Sequence, residues 1–456
     1  MTAIEANAAN LERQDGLSNP KRTLAFLTVS LGIMMAVLDG TIVNVALPTI
    51  AGDQHASAAD AIWIVTAYQL AVMVSLLPIA ALAEAIGFRK VFCGGLLVFA
   101  AASLLCAYSN SLLMLTLARI VQGISGAALM GISTALLRHI LPHRILGRGI
   151  SNMAVIVAVS GAAGPTIAAG ILAVASWHWL FLINVPLGVI GLAVGRLTLP
   201  ETPKNGVSFD YTSAVLNVAA FGFLISGLTE IGGTQFPLWL SIVQIIAGLI
   251  ALYFLAVRQI PRKAPMFPVD LLQIPAFRLS IVASVSSFVA QFLAMVSLPF
   301  FFAQALHYDE VKTGLLMTPW PVATAVIAPI AGRLADKYSG GRVSGLGSLV
   351  LGFGLVSVAL LPDNPAIWDI VWRLALCGMG FGLFQSPNNR VLITSAPRER
   401  TGGASGMLST ARLFGQSIGA AFAAMIFGLT AGYNLLLTMG VAAAFAFIAS
   451  IVSIWR

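Results

Sequence analysis

Long apolar runs with almost no charge follow one another from Leu24 onward. Each is long enough to cross a bilayer, whose hydrocarbon core needs about 20 apolar residues of helix. Charged residues make up only 9% of the 456 residues, whereas soluble domains carry roughly a quarter. Because backbone groups in lipid must be satisfied internally, such runs are predicted to be helices. The fold class expected is therefore an all-α integral membrane protein.

The runs predict fourteen transmembrane helices with both termini on one side. The predicted helices start near Leu24, Ala61, Val91, Ser111, Gly149, Trp177, Thr212, Phe236, Phe277, Thr313, Val343, Ala366, Gly402 and Tyr433. This order places all but four of the 25 lysines and arginines on the side of the termini. The positive-inside rule assigns that side to the cytosol. Adding or removing one helix would place these charges on both faces of the membrane, so an even number of helices is expected. The alternative to fourteen is therefore twelve.

The two halves of the chain resemble each other in sequence. Val-Ala-Leu-Pro at 45–48 returns as Val-Ser-Leu-Pro at 296–299, and Arg119 with Gly126 returns as Arg373 with Gly380. The repeat is displaced by eight helices, which predicts two six-helix bundles separated by two inserted helices. The predicted units are a cytosolic tail (1–23), a six-helix bundle (24–200), a two-helix hairpin (201–257), a cytosolic linker (258–276) and a second bundle (277–456). The polar tail lacks the features of a cleaved signal peptide.

Two opposite charges fall at similar depth in the first bundle. Asp39 and Arg119 are expected about 8 Å and about 12 Å below the outer edge of the hydrocarbon core, so they can pair if their helices are neighbours. One reading is a static ion pair that holds the helices together. The other is a proton site, because burial disfavours a charged carboxylate and a nearby arginine favours it. Relative movement would then make Asp39 take up or release a proton.

Two further arginines fall within apolar runs. Arg373 has Asp369 four residues earlier, which predicts local neutralisation on one helix face. Arg412 has no evident partner in its helix, so lining a substrate or anion pathway and bonding a helix-end carbonyl are both open. Asn44 is the other candidate for the substrate pathway.

Small residues mark a close helix contact and two cytosolic turns. The run from Ser160 to Gly170, which contains Gly161, Gly164 and Pro165, predicts a tightly packed, kinked helix. Basic turns are predicted to gate the cytosolic face through contacts with helix ends or acidic side chains. The residues assigned to these gating turns are Glu84, Gly87 and Arg89 in the first half and Gly332, Asp336 and Lys337 in the second.

Motifs of soluble enzymes and of cofactor sites are absent from the sequence. It contains no GxxxxGK[ST], HExxH or GxSxG, and Cys93, Cys106 and Cys377 lie singly in apolar runs, as packing residues do. We therefore expect neither catalytic nor metal-binding residues and no cofactor besides the proton motive force. The net charge of +8 follows from the cytosolic loops and does not indicate nucleic acid. The expected partners are a small-molecule substrate, protons and the bilayer, and the expected state is a monomer.

Several of these segments closely resemble the major facilitator superfamily, in particular its fourteen-helix drug:proton antiporter (DHA2-type) branch. The matching segments are LDGTIVNVALP (38–48), WIVTAYQL (63–70), LARIVQGISGAAL (117–129), GAAGPTIAAG (161–170), SWHWLFLINVPLG (176–188) and, similar to an enterobacterial member, FGLFQSPNN (381–389). The resemblance implies alternating access between two bundles, with Asp39 as the proton-coupling carboxylate and Arg119 as its partner. It also implies that Gly161, Gly164, Pro165 and Gly170 form the antiporter motif of exporters, and that the protein lies in a bacterial inner membrane.

The sequence departs from the family pattern in two places. Ala80 and Glu84 stand where the family usually has glycine and aspartate, and Ser160, Ala168 and Ala169 replace glycines of the antiporter motif. The second-half turn GRLADK (332–337) is nearer the pattern, so gating is expected to depend more on that half.

The expected function is proton-coupled multidrug efflux of small amphipathic compounds, with cations preferred. The alternatives are export of one metabolite or siderophore and, from a different class, a non-transporting membrane sensor or scaffold. Retained function of an Asp39→Asn variant would favour the sensor.

Overall fold

The computed structural model describes residues 16–202, 210–231, 237–260, 269–397, 400–430 and 432–456. Within these ranges fourteen helices are long and apolar enough to cross a membrane, which confirms the predicted number. They start within a few residues of the predicted positions. In chain order they are α1 (Lys21–Asp53), α2 (Ala58–Ile86), α3 (Phe88–Ala107), α4 (Leu112–Ile140), α5 (Arg144–Leu172), α6 (Trp179–Thr198), α7 (Tyr211–Glu230), α8 (Leu238–Gln259), α9 (Pro275–Gln304), α10 (Glu310–Ala335), α11 (Gly340–Ala359), α12 (Ile367–Ser395), α13 (Gly403–Leu429) and α14 (Leu435–Ile454).

Short polar side chains cap four helices at the predicted outer face. Ser57, Ser111, Asp309 and Asn434 each accept a hydrogen bond from the backbone N–H three residues later. These bonds satisfy amide groups that have no partner in the first turn of a helix. At the opposite face α2 ends at Gly87, whose φ of +104° is disfavoured for other residues. The local sequence therefore sets where these helices begin and end.

The helices pack as two groups and a hairpin. Helices α1 to α6 contact one another, α9 to α14 do the same, and α7 pairs with α8. This packing is consistent with the predicted order of six, two and six helices. The predicted tail falls largely outside the described residues. The same holds for the middle of the predicted linker, of which Val269–Gln273 forms a short 3₁₀ helix.

The hairpin packs against both groups through α7. The side-chain amide of Asn217 donates to the Val74 carbonyl in α2 at 2.8 Å. One turn later Phe221 meets Phe414 of α13 edge to face, with ring centroids 5.4 Å apart. By contrast, most of the apolar surface of α8 is exposed, as expected for a helix that faces lipid. Helix α7 thus covers one of the two seams between the bundles.

The two bundles meet mainly at the predicted outer face. Thr49 of α1 donates to the carboxylate of Glu310 in α10 at 2.6 Å, and the hydroxyls of Thr166 in α5 and Thr318 in α10 are 2.9 Å apart. One apolar core joins the outer halves of both bundles, including Ile50 of α1 and Phe302 of α9. The molecule is therefore closed at this face.

Candidate functional site

A central cavity of about 530 Å³ lies between the bundles. Its wall is built by α1, α2, α4 and α5 on one side and by α9, α10, α12 and α13 on the other. Phe381, Gln385 and Asn389 line it from the half of α12 nearer the predicted cytosolic face. The cavity therefore runs from the middle of the membrane toward that face. Its volume is in the range of sites that hold small organic ligands.

The cavity wall combines side-chain amides with aromatic rings. The amides come from Gln69, Gln291, Gln385, Asn389 and Gln416, and the rings from Tyr68, Phe288 and Phe381. Arg412 is the one charged residue among the residues described along the wall. The wall suits a partly apolar ligand with several hydrogen-bonding groups.

Asp39 and Arg119 form a buried ion pair inside the first bundle. Asp39 is 1% exposed and Arg119 is fully buried, and Nη1 of Arg119 contacts one carboxylate oxygen of Asp39. The other oxygen accepts hydrogen bonds from the amides of Gln122 and Asn184, both at 2.9 Å. Nε of Arg119 donates to the carbonyl of Ile64 at 3.1 Å. Four helices, α1, α2, α4 and α6, thus meet at one ion pair.

Tyr68 separates this ion pair from the cavity. The guanidinium carbon of Arg119 lies 4.1 Å from the centre of the Tyr68 ring, and the Tyr68 hydroxyl donates to the carbonyl of Ala36 at 2.6 Å. Tyr68, Ala36 and Gly40 all line the cavity. The side chain of Tyr68 therefore lies between the ion pair and a ligand bound in the cavity.

Gln122 and Asn184 were not predicted as site residues. Both are uncharged, so they do not stand out in an apolar run as a charged residue does. The available signal was an amide at mid-span: Gln122 lies three residues after Arg119, on the same helix face. Nothing local in the sequence linked Asn184 to Asp39, because helix packing alone brings them together.

Arg373 is neutralised within its own helix, as predicted. Asp369 receives two hydrogen bonds from Arg373, each of 3.0 Å. Both side chains are partly exposed, at 15% and 25%, unlike the ion pair at the equivalent level of the first bundle. The sequence repeat therefore preserves the arginine and not its environment.

Of the two candidates for the substrate pathway, Arg412 lines the cavity and Asn44 does not in this conformation. No carboxylate or carbonyl of the described residues accepts a hydrogen bond from Arg412, so the helix-end carbonyl considered above is not its partner here. Asn44 is buried on α1, and its side-chain oxygen has no hydrogen-bond partner in the described part of the chain. Its place in the pathway stays a prediction.

The predicted antiporter motif contacts both bundles. Gly161 lines the cavity, and a methyl group on Gly164 would overlap the side chain of Thr41 in α1. The carbonyl of Pro165 would lie 2.7 Å from a methyl group on Gly314 of α10, so the backbones of α5 and α10 are in close contact there. Gly170 has open space around it. The motif is therefore a packing surface whose outer part faces the second bundle.

The first predicted gating turn is tied to α6 and not to Glu84. Arg89 donates to the carbonyl of Arg196 at the end of α6 and pairs with Glu201 at 3.2 Å. This contact with a helix C-terminus was one of the two predicted alternatives. Glu84 is exposed.

In the second turn Gly332 lies in α10 and Lys337 is exposed. The side chain of Asp336 is outside the described structure, so the gating role of this turn stays a prediction.

Comparison with known proteins places the chain in a family. Residues 29–420 match the Major Facilitator Superfamily, and the chain belongs to it. It is 52% identical over 441 residues to the uncharacterised transporter YebQ of Escherichia coli K12, with 96% of each chain covered. The protein is thus a membrane transporter and not an enzyme.

More distant relatives extend the comparison. The riboflavin transporter RibZ of Clostridioides difficile is 28% identical, with 91% of this chain and 90% of that protein covered. The putative multidrug resistance protein MdtD of Citrobacter koseri is also 28% identical, with 88% and 85% covered. Such relatives support the drug:proton antiporter branch indicated by the sequence motifs. A crystal structure of a POT family transporter superimposes with a TM-score of 0.72 over 94% of both chains at 14% identity, which shows the shared fold.

Proposed function

We propose that this transporter exports small amphipathic compounds in exchange for protons by alternating access. The observation that carries the proposal is the position of the buried Asp39–Arg119 pair directly behind the cavity wall. A lone ionisable pair inside a transporter bundle is typical of a proton relay. Multidrug resistance relatives at 28–29% identity support the export of compounds of this type.

Helix α1 offers a path from the proton site to the bundle contact. It carries Asp39 in its middle and Thr49, the partner of Glu310 in the second bundle, near its outer end. A proton on Asp39 removes the charge that holds Arg119, Gln122 and Asn184 together. The resulting shift of α1 reaches the outer contact along one continuous helix, which contains Pro48 just before Thr49. Protonation at one site thereby biases the opening of the outer face.

The conformation described here is the one that would receive a compound from the cytosol. Its outer face is closed and its cavity extends toward the predicted cytosolic face. Inward movement of one proton releases about 2.3 kcal/mol per 100 mV of membrane potential. A further 1.4 kcal/mol, approximately, comes from each unit of pH difference.

The lining of the cavity does not favour the cationic substrates expected from the sequence. A cation would be attracted by a carboxylate, and the residues described along the wall include none. We therefore propose amphipathic substrates without the cationic preference. The second candidate, export of a single metabolite, is favoured by the five amides of the wall and by the riboflavin transporter among the relatives.

We also propose that both termini are cytosolic, as the charge distribution predicts. The test is labelling of intact cells with a membrane-impermeant maleimide. A cysteine at the exposed position Asp363, between α11 and α12, should react, and one at the exposed position Lys337 should not. The opposite labelling pattern would invert the topology.

The proposed function is tested by efflux of fluorescent amphipathic compounds from cells that lack other exporters. Efflux should stop with Asp39→Asn and with a protonophore. Asp369→Asn is the matched control, since Asp369 also pairs with an arginine but lies partly exposed and is not among the residues lining the cavity. Efflux by Asp39→Asn at the wild-type rate would reject the proton site. Absence of wild-type efflux, with expression confirmed, would favour the sensor or a narrow metabolite exporter.

A further inference from the structure

We infer that Arg412 binds an anionic group of the substrate and that this transporter selects amphipathic organic acids. The inference rests on the proposed transport function and specifies the substrate of its cavity. Arg412 lies on α13 in the second bundle and lines the same cavity as Tyr68, which covers the Asp39 site.

Arg412 lies deep within a span and has no counter-charge among the described residues. Arg119 and Arg373 each pair with a carboxylate. The side chain of Arg412 is only partly accessible, and none of the described residues accepts a hydrogen bond from it or pairs with it. A charge held away from bulk water without a partner is unfavourable. A bound anion would supply the missing partner.

The neighbouring charges do not cancel this positive potential. Asp39 and Arg119 form a neutral pair, and Tyr68 lies between that pair and the cavity. The described wall contains no other charge. The cavity is therefore positive overall, and it attracts anions and repels cations.

The rest of the wall fits the remaining parts of an aromatic acid. A guanidinium binds a carboxylate through two parallel hydrogen bonds. Gln416, one turn after Arg412, and Gln291 of α9 offer amide donors beside it. Phe288 and Phe381 pack edge to face, with centroids 5.4 Å apart, and give a ring an apolar surface. The expected ligand is a compact aromatic or partly apolar compound with one carboxylate.

The alternative to substrate binding is that Arg412 pairs with another protein group in a second conformation. In that case its removal would impair transport of every compound equally and would not change binding selectivity. Selectivity between matched ligands of different charge therefore separates the two roles.

The test is equilibrium binding to the full chain purified in detergent at fixed pH. The probes are naphthoate and a small panel of other aromatic carboxylates, each with its uncharged carboxamide and its trimethylammonium analogue. The wild type should bind the carboxylates at least tenfold more tightly than either analogue. Arg412→Gln should abolish this preference, and Arg412→Lys should keep part of it. Arg278→Gln, at an exposed arginine of the same bundle, should leave the preference unchanged.

The outcomes separate the inference from the proposed function. Equal or tighter binding of the ammonium analogues, an unchanged preference in Arg412→Gln, or no binding of any carboxylate would overturn the inference. Thermal unfolding serves as the control for misfolding, because loss of an unpaired, partly buried charge should not lower stability. Flux of a bound carboxylate in proteoliposomes, with and without a pH gradient, then tests proton coupling. Carboxylate binding without proton-driven flux would reject the proposed antiport and leave the assignment of Arg412 intact.

Discussion

At the scale of single residues, the ion pair in the first bundle is supported by neighbours that complete most of its hydrogen bonds, while Nη2 of Arg119 has no hydrogen-bond partner among the described residues. Removing two charges from water costs several kcal/mol per ion, and attraction repays this only when hydrogen bonds complete the site. Gln122 and Asn184 bind the second carboxylate oxygen of Asp39, and Ile64 accepts from Arg119. The site is therefore sensitive to losing one partner and less so to losing both charges.

A double-mutant cycle tests this sensitivity. Arg119→Leu leaves a buried carboxylate without its counter-charge, and breaking such a pair costs about 3–5 kcal/mol. The double variant Asp39→Asn with Arg119→Leu leaves no charge, so it should unfold at a higher temperature than Arg119→Leu alone. Thermal unfolding of purified protein measures both. The cycle is completed by the Asp39→Asn single variant, and a loss of stability in the double variant equal to the sum of the two single losses would mean that the pair has no coupling energy. Arg373→Leu, at a partly exposed pair, should cost less than Arg119→Leu.

Residue chemistry was predictable where one side chain differed sharply from its surroundings. Asp39, Arg119, Arg373 and Arg412 each stood out as charges in apolar runs, and the depth of Asp39 and Arg119 allowed their pairing. The partners Gln122 and Asn184 did not stand out, because they carry no charge. The net charge of the cavity wall could not be predicted either, since it depends on which faces of eight helices turn inward.

At the scale of helices, the small residues of α5 have unequal roles. Gly164 lies so close to α1 that a methyl group would overlap Thr41, whereas Gly170 has open space. Gly164→Ala should therefore push the two helices apart and destabilise the protein by about 1–3 kcal/mol. Gly170→Ala makes the same chemical change in the same helix and should be tolerated. Thermal unfolding and efflux of the two variants provide the comparison, and equal losses would contradict the packing explanation.

The contact between α5 and α10 provides a second test at this scale. The hydroxyls of Thr166 and Thr318 are 2.9 Å apart, so cysteines at both positions are within reach of a disulfide. Oxidation should lock the outer face closed and stop transport, and reductant should restore it. The three native cysteines are buried and free, so a single introduced cysteine should find no disulfide partner. The variants with one introduced cysteine therefore serve as controls. Full transport by the oxidised double variant would show that this contact need not open.

Helix positions and ends were predicted well because they depend on local sequence. Apolar run length located the fourteen spans, and capping residues such as Ser111 and Asn434 set their outer ends. The attachment of α7 to both bundles was not predictable. It depends on Asn217 and Phe221 meeting groups far away in sequence.

At the scale of the whole molecule, the sign of the transported charge decides how the membrane potential acts. Exchange of a monoanion moving outward for one proton moving inward transfers two positive charges inward, whereas a monocation exchanges without net charge. Each transferred charge contributes about 2.3 kcal/mol per 100 mV.

Export of naphthoate in proteoliposomes should therefore be accelerated by a potential that is negative on the cytosolic face. It should persist when the pH gradient is removed. A valinomycin-clamped potassium gradient sets the potential, and clamping it at zero is the control. An export rate that does not depend on the membrane potential would contradict anion-for-proton exchange.

The cover that α7 places over one seam has a consequence for compounds dissolved in lipid. Through Asn217 and Phe221, α7 contacts α2 and α13, so that flank of the cavity is walled off from the acyl chains. On the opposite flank, the described contact between α5 and α10 lies at the outer end, and both helices also line the cavity farther in. A molecule partitioned into the inner leaflet would then have to enter on a flank other than the one that α7 covers. The orientation of the protein relative to its lipid neighbours thus becomes part of its selectivity.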